Sequence, residues 1–126
     1  MENKTKKICL IVDDSRVVRK VACRIVKDIG LDFYEAENGM EAYEYCLNAM
    51  PDVVLLDWNM PVMGGIEFTE KLRRAPKGMT PKVVFCTTEN KKSSLERALK
   101  AGADEYIMKP FDREIIESKF KLVGIL

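Results

Sequence analysis

The sequence predicts an α/β fold in which a five-stranded parallel sheet carries helices on both faces. Three observations carry that expectation. Five short runs of apolar and β-branched residues alternate strictly with helical patterns. Several of those runs are apolar throughout, as strands buried on both faces must be. A chain of 126 residues that is 47% hydrophobic and 33% charged suits one compact domain with its own core.

The first strand is expected at Ile8–Val12, followed by a helix that Ser15 caps and Gly30 ends. Val17, Val18, Val21, Ala22, Ile25, Val26 and Ile29 recur at helical spacing and read as its buried stripe; Arg16, Arg19, Lys20, Arg24 and Lys27 read as its solvent face. The second strand is expected at Asp32–Ala36, the second helix at Met40–Ala49, the third strand at Val53–Leu56 and the third helix at Ile66–Arg73. The prolines and glycine of residues 75–81 suggest a loose surface loop. Lys82–Cys86 then reads as strand four, Ser93–Lys100 as helix four with Gly102 as its stop, Glu105–Met108 as strand five and Arg113–Val123 as helix five. Phe120 to Leu126 either completes that helix or leaves apolar residues beyond Gly124 to cover a partner. The whole chain, 1–126, is expected to be a single domain, with 1–6 a disordered tail.

Lys and Arg total 21 against 20 Asp and Glu, so the net charge is +1 and no basic face points to nucleic acid. Cys9, Cys23, Cys46 and Cys86 are widely spaced within apolar stretches and form no Cys-x-x-Cys pair, which reads as buried, reduced thiols. The apolar run after the basic N-terminus meets Asp13-Asp14 too soon for a signal peptide or a membrane span, so a soluble cytoplasmic protein with no membrane contact is expected. Histidine is absent, which excludes any mechanism needing an imidazole of this chain.

Chemistry gathers at four strand ends. Asp13 and Asp14 follow strand one and Asp57 follows strand three. If the strands are neighbours, three carboxylates converge and repel unless a cation joins them. Mg²⁺, with Mn²⁺ as a substitute, suits such a site because it takes oxygen ligands and keeps several waters. Taken alone, Asp13-Asp14 reads equally as a helix N-cap region, and Asp57, followed by Asn59, Pro61, Gly64 and Gly65, as the start of a turn. Strand four ends in Thr87-Thr88 and strand five in Lys109-Pro110, which adds a hydroxyl and an ammonium at the same edge. Together these are the parts of a phosphoryl site, in which Lys109 pairs with Asp57 and with phosphoryl oxygens and Thr87 hydrogen-bonds one of them.

Leu10-Ile11-Val12-Asp13-Asp14-Ser15, Leu55-Leu56-Asp57-Trp58-Asn59-Met60-Pro61, Cys86-Thr87 and Tyr106-Ile107-Met108-Lys109-Pro110-Phe111 resemble, in that order, the receiver domain of response regulators, of the single-domain chemotaxis (CheY-like) type. The resemblance implies a flavodoxin-like three-layer α/β/α fold with strand order 2-1-3-4-5. It also implies a phosphorelay protein rather than an enzyme, one that catalyses only its own phosphorylation and dephosphorylation. In such proteins Asp57 accepts the phosphoryl group, and the Mg²⁺ ligands are Asp14, Asp13 through water, Asp57 and the Asn59 main-chain carbonyl. Lys109 and Thr87 serve the transfer, Thr87 and Tyr106 form the switch, and Lys109–Pro110 is a cis peptide. The implied partners are a sensor histidine kinase or phosphotransfer protein and a target bound on the helix 4–strand 5–helix 5 face. Two positions depart from the pattern. Gly64 replaces an acid, which is expected to loosen the loop, and Thr88 replaces a smaller residue beside Thr87.

Other readings are weaker. A receiver fold that is never phosphorylated and acts by binding alone is supported mainly by Gly64. An aspartyl-phosphate phosphatase would carry a second acid where Asn59 stands. A flavin-binding relative would carry a phosphate-cradling loop after strand one, where the two acids lie.

Overall fold

The computed structural model describes residues 6–88 and 90–126. Five strands and five helices alternate along the chain: β1 Ile8–Val12, α1 Arg16–Ile29, β2 Asp32–Ala36, α2 Gly39–Asn48, β3 Val53–Asp57, α3 Gly65–Arg74, β4 Lys82–Thr87, α4 Lys92–Ala101, β5 Glu105–Met108 and α5 Arg113–Leu122. All strand pairs are parallel, in the order β2-β1-β3-β4-β5, as the resemblance implies. Element boundaries fall within one residue of the sequence expectation, and α1 runs between the expected Ser15 cap and Gly30 stop. The expected tail, 1–6, lies outside the described residues except for Lys6.

Side chains cap the amino ends of α1, α2 and α5. Ser15 Oγ accepts from Val18 N–H, and Gly30 closes α1 in the left-handed region at φ 111°. Asn38 caps α2, while the Glu41 carboxylate reaches back to the Glu37 N–H, and Asp112 caps α5. The core has two layers. On one side of the sheet Ala22, Cys23 and Val26 of α1 and Ile116 and Phe120 of α5 pack on Cys9, Ile11, Leu55, Val84 and Cys86. On the other, Ala42 and Cys46 of α2, Phe68 and Leu72 of α3 and Ala98 of α4 pack on Leu10, Val12, Val54, Leu56, Val83 and Phe85. Covered on both faces, the central strands have no reason to alternate polar and apolar residues.

Three expectations need correction. The buried face of α1 is Arg19, Ala22, Cys23 and Val26, whereas Val17 is 73% and Val21 47% exposed. Arg19 is buried because its guanidinium finds acceptors at the end of β1 and on β2. The segment 75–81 is pinned rather than loose. Arg73 Nη1 donates to the Gly78 and Pro81 carbonyls, and a Cβ on Gly78 would fall on the Leu72 carbonyl. The chain after α5 does not extend the helix. It reverses at Gly124, φ 86°, and returns Ile125 to the α1/α5 core, leaving Leu126 exposed. The four cysteines are free and buried. No helix among the described residues is long and apolar enough to cross a membrane.

Candidate functional site

Strand register assembles the site. Val12 pairs with Leu56, and Asp57 with Cys86, so Asp13, one residue past β1, stands level with Asp57 at the carboxyl edge of the sheet. In a parallel sheet, register partners share a face and side chains alternate along each strand. Lys109, two residues beyond Ile107, therefore returns to the face of Asp57 and Cys86. Thr87 and Tyr106 belong to the opposite face, with Phe85. The acids and the ammonium thus occupy one side of the sheet edge, and the hydroxyl and the tyrosine the other.

The contacts agree with that parity. Lys109 Nζ donates to Asp13 Oδ2 at 2.9 Å and to Asp57 Oδ1 at 3.1 Å, bridging β1 and β3 from the end of β5. Asp13 Oδ1 accepts from Ser15 N–H at 2.9 Å, and Asp57 Oδ1 also accepts from Trp58 N–H at 2.9 Å. Both hydrogen bonds to the Asp57 carboxylate among the described residues thus fall on Oδ1. Asp14 is exposed and Asp13 buried, and oxygens of Asp13, Asp14 and Asp57 lie within 4.8 Å of one another. Burial, and then the Asp13 charge, raise the Asp57 pKa against the pull of Lys109 and the Trp58 N–H. Burial opposes the Lys109 ammonium, but its two carboxylate partners outweigh this and its pKa is raised. Three carboxylates gather around one ammonium, which bonds only Asp13 and Asp57, so the cluster is short of positive charge. An all-oxygen donor set with that deficit fits a hard divalent cation.

The loop after β3 is held at both ends. Gly65 N–H donates to the Trp58 carbonyl, and a Cβ on Gly65 would come within 2.5 Å of the Asp57 carbonyl, so only glycine lets α3 begin this close to the site. Gly39 N–H donates to the Met63 carbonyl at 2.8 Å and ties the loop to α2. The Gly64 backbone is extended, with φ −81° and ψ 179°, which any residue adopts, so this position does not require glycine. The unusual residue is Val62, a β-branched side chain at φ 70°. Asn59 is exposed in this loop, and the Lys109–Pro110 peptide is cis.

Thr87 is buried at the end of β4, and Thr88 beside it is exposed. Tyr106 is half-buried, and Lys119 of α5 lies 5.1 Å from its ring centroid while pairing with Glu105 at 3.2 Å. An apolar cleft of about 380 Å³ opens beside Lys109, lined in part by Val17, Val21, Thr88 and Phe111. Sequence reasoning missed Arg19 and Glu35. Arg19 Nη1 donates to the Asp13 carbonyl at 2.8 Å and Arg19 Nε to Glu35 Oε1 at 3.0 Å. The signal was present: Arg19 is three, four and seven residues before Ala22, Cys23 and Val26, so helical spacing places it on the buried stripe.

Comparison with known proteins gives one family. The model of the response regulator receiver domain matches residues 9–121. The chain is 37% identical over 116 residues to chemotaxis protein CheY1 of Helicobacter pylori, covering 90% of this chain and 94% of that protein. It is 37% identical over 114 residues to the chemotaxis protein CheY homolog of Campylobacter jejuni, covering 89% and 88%. The structure of chemotaxis protein CheY4 of Vibrio cholerae superposes with a TM-score of 0.90 at 29% identity, over 94% of this chain and 99% of that one.

Proposed function

The chain belongs to the response regulator receiver domain family, and on that premise we propose that it works as a single receiver domain whose Asp57 takes a phosphoryl group and whose phosphorylated form binds a target protein. The observation that carries this reading is the bridge from Lys109 to Asp13 and Asp57 within a three-carboxylate cluster at the sheet edge.

In the proposed reaction Asp57 Oδ2, the oxygen not engaged by Lys109 and Trp58, forms a bond to phosphorus as the bond to the donor breaks. The donor is a phosphohistidine on a sensor kinase or phosphotransfer protein, or a small acyl phosphate such as acetyl phosphate. This chain has no histidine, so a phosphohistidine has to come from the partner. Water later attacks phosphorus and the Asp57 carboxylate leaves. Lys109 holds Asp57 through Oδ1 and is within reach of developing charge on the phosphoryl oxygens. The carboxylates of Asp13, Asp14 and Asp57 and the main-chain carbonyl of Asn59 would hold Mg²⁺, Asp13 through water. Bound there, the ion neutralises charge on the phosphoryl oxygens. The apolar cleft beside Lys109 gives a donor protein a surface next to the acceptor.

A phosphoryl group adds nearly two negative charges. Thr87, on the far side of the β4 edge from Asp57, would turn toward it, and Tyr106 on the same face as Thr87 would follow into the space released. The α4–β5–α5 face is the proposed target surface. Shifting a two-state domain from about 1:99 to 99:1 takes about 5.5 kcal/mol of differential stabilisation, which the phosphoryl contacts have to supply.

The deciding experiment is intact-protein mass after incubation with acetyl phosphate and Mg²⁺, beside Asp57→Asn and an EDTA control. One metal-dependent adduct of about 80 Da, absent from the variant, is the expected result. No adduct on folded protein, with an active receiver as positive control, would favour the other reading, a receiver-fold adaptor that acts by binding without phosphorylation.

A further inference from the structure

Arg19 is a charged side chain only 8% exposed, and the chemistry above gives it no task. We propose that Arg19, neutralised by Glu35, is a positioning residue that fixes the main chain of Asp13 and so sets both cation affinity and the rate of phosphoryl transfer to Asp57. This rests on the receiver reading.

The end of β1 lies beside the carboxylate cluster. Ladder pairing with β3 stops at Val12, and the Asp13 N–H makes a last bond, 3.1 Å, to the Ala36 carbonyl. The Asp13 carbonyl lies beyond the ladder, where strand turns into helix in a buried setting, and a carbonyl left there without a donor is costly. Arg19 Nη1 supplies the donor at 2.8 Å. The peptide units on both sides of the Asp13 Cα are then fixed. Only with the Cα fixed can Oδ1 stay on Ser15 N–H while Oδ2 stays on Lys109 Nζ, both at 2.9 Å.

Charge explains the second residue. A bare guanidinium beside a cation site would lower the site's affinity for a cation. Glu35 Oε1 takes Arg19 Nε at 3.0 Å, and its Oε2 takes the exposed Lys20 at 2.8 Å. The hydrogen bond from Lys20, and the nearby Arg19, hold the Glu35 carboxyl below its usual pKa against the effect of burial, so the counter-charge persists into mildly acid solution. The pair therefore supplies geometry with little net field. The planar fork of arginine meets a carboxylate and a carbonyl at once, which a lysine ammonium on a flexible stem does less well.

The test uses Arg19→Met, Arg19→Lys and Glu35→Gln in the full chain. Mg²⁺ affinity is read from Trp58 fluorescence, phosphorylation rate from acetyl phosphate at saturating Mg²⁺, and the folded fraction from urea midpoints. Arg19→Met is expected to weaken Mg²⁺ binding about tenfold, the usual scale for loss of a group that orients a metal ligand, and to slow phosphorylation even at saturating Mg²⁺. Arg19→Lys should recover part of both. Glu35→Gln keeps the bond to Asp13, so it should keep the saturated rate and weaken Mg²⁺ binding about threefold through the uncancelled charge. Wild-type affinity and rate in folded Arg19→Met would make Arg19 a structural strut and overturn the proposal. Should Arg19→Met not fold, Arg19→Lys indistinguishable from wild type in both readouts would overturn it equally. Wild type that binds Mg²⁺ but takes no phosphoryl group would sink the receiver reading while the affinity series still decides the positioning role. Wild type that binds no Mg²⁺ sinks both.

Discussion

Replacing Asp57 by asparagine should make the protein more stable at neutral pH in the absence of divalent metal. Asp57 lies with Asp13 and Asp14 in a cluster whose oxygens are within 4.8 Å of one another. At that distance and an effective dielectric of about 20, two like charges repel by about 3.5 kcal/mol; Lys109 at 3.1 Å attracts by about 5 kcal/mol. The attraction is thus cancelled by Asp13 and by a screened contribution from exposed Asp14, and burial adds a further penalty, the largest single cause of the raised Asp57 pKa. Asparagine is nearly isosteric, keeps an acceptor for the Trp58 N–H and carries no charge, so the expected gain is about 1–2 kcal/mol. Because the folded pKa lies above the unfolded one, the native state binds more protons across that window. Wild-type stability therefore falls as pH rises through the ordinary carboxylate range to the folded pKa. The advantage of Asp57→Asn should be small near pH 4, open as pH rises and stay constant above the folded pKa. Urea unfolding followed by circular dichroism in EDTA at pH 4 and pH 7 measures it, the midpoint at pH 7 rising by about 1 M. Saturating Mg²⁺ should close the gap, since it stabilises wild type preferentially. Equal or lower stability of the variant at pH 7 in EDTA, or a gap indifferent to Mg²⁺, would refute this account of the cluster.

Lys109→Met removes the cation shared by Asp13 and Asp57, and should cost about 2 kcal/mol at pH 7 in EDTA, less than a fully buried pair because the side chain is partly exposed. Part of that loss should return at low pH, where Asp57, its pKa raised by burial and by the Asp13 charge, takes up a proton, and urea midpoints at pH 4 and pH 7 check it. Arg73→Ala strips donors from the Gly78, Pro81 and Gly102 carbonyls and a partner from Asp104. It should lower stability by about 3 kcal/mol, yet leave the acetyl phosphate rate of folded protein unchanged, because these contacts lie before β4 and β5 at the far end of the sheet. Val62→Asn relieves a β-branched residue at φ 70° whose side chain is 78% exposed, and should raise the calorimetric midpoint by about 4 °C; no rise would mean the loop carries no strain there.

The strands were legible because their chemistry is one-dimensional. Val53–Leu56 and Val83–Cys86 are apolar at every position, and only a strand covered on both faces requires that. The parts of the candidate site were legible for a related reason: each follows such a run directly, so strand ends found in sequence became neighbours once register aligned them. What escaped was decided by partners distant in sequence. The spacing of residues 19, 22, 23 and 26 was visible, but arginine on a buried stripe looks wrong until Glu35 and the Asp13 carbonyl are known to face it. Val17 and Val21 look buried until the cleft shows no element covering them. The segment 75–81 has a loop composition, and nothing local reveals that Arg73 reaches over to tie down two of its carbonyls.

The two ends of the sheet are built to opposite rules. At the amino end of β4 and β5 the guanidinium of Arg73 finds four acceptors, with Asp104 as counter-charge, and Asp104 in turn accepts from the Val83 N–H. Polar groups there are matched and the arrangement has one good answer. At the carboxyl end three acids crowd together, one ammonium bonds two of them, and the Asp57 carboxylate is held through one oxygen. A site whose native interactions already conflict costs less to rearrange than one whose interactions are all satisfied, because there is less to lose. A single new charge on Asp57 would therefore act where opposing forces nearly cancel, and the well-matched opposite end would keep the sheet in register while the loops around the site respond.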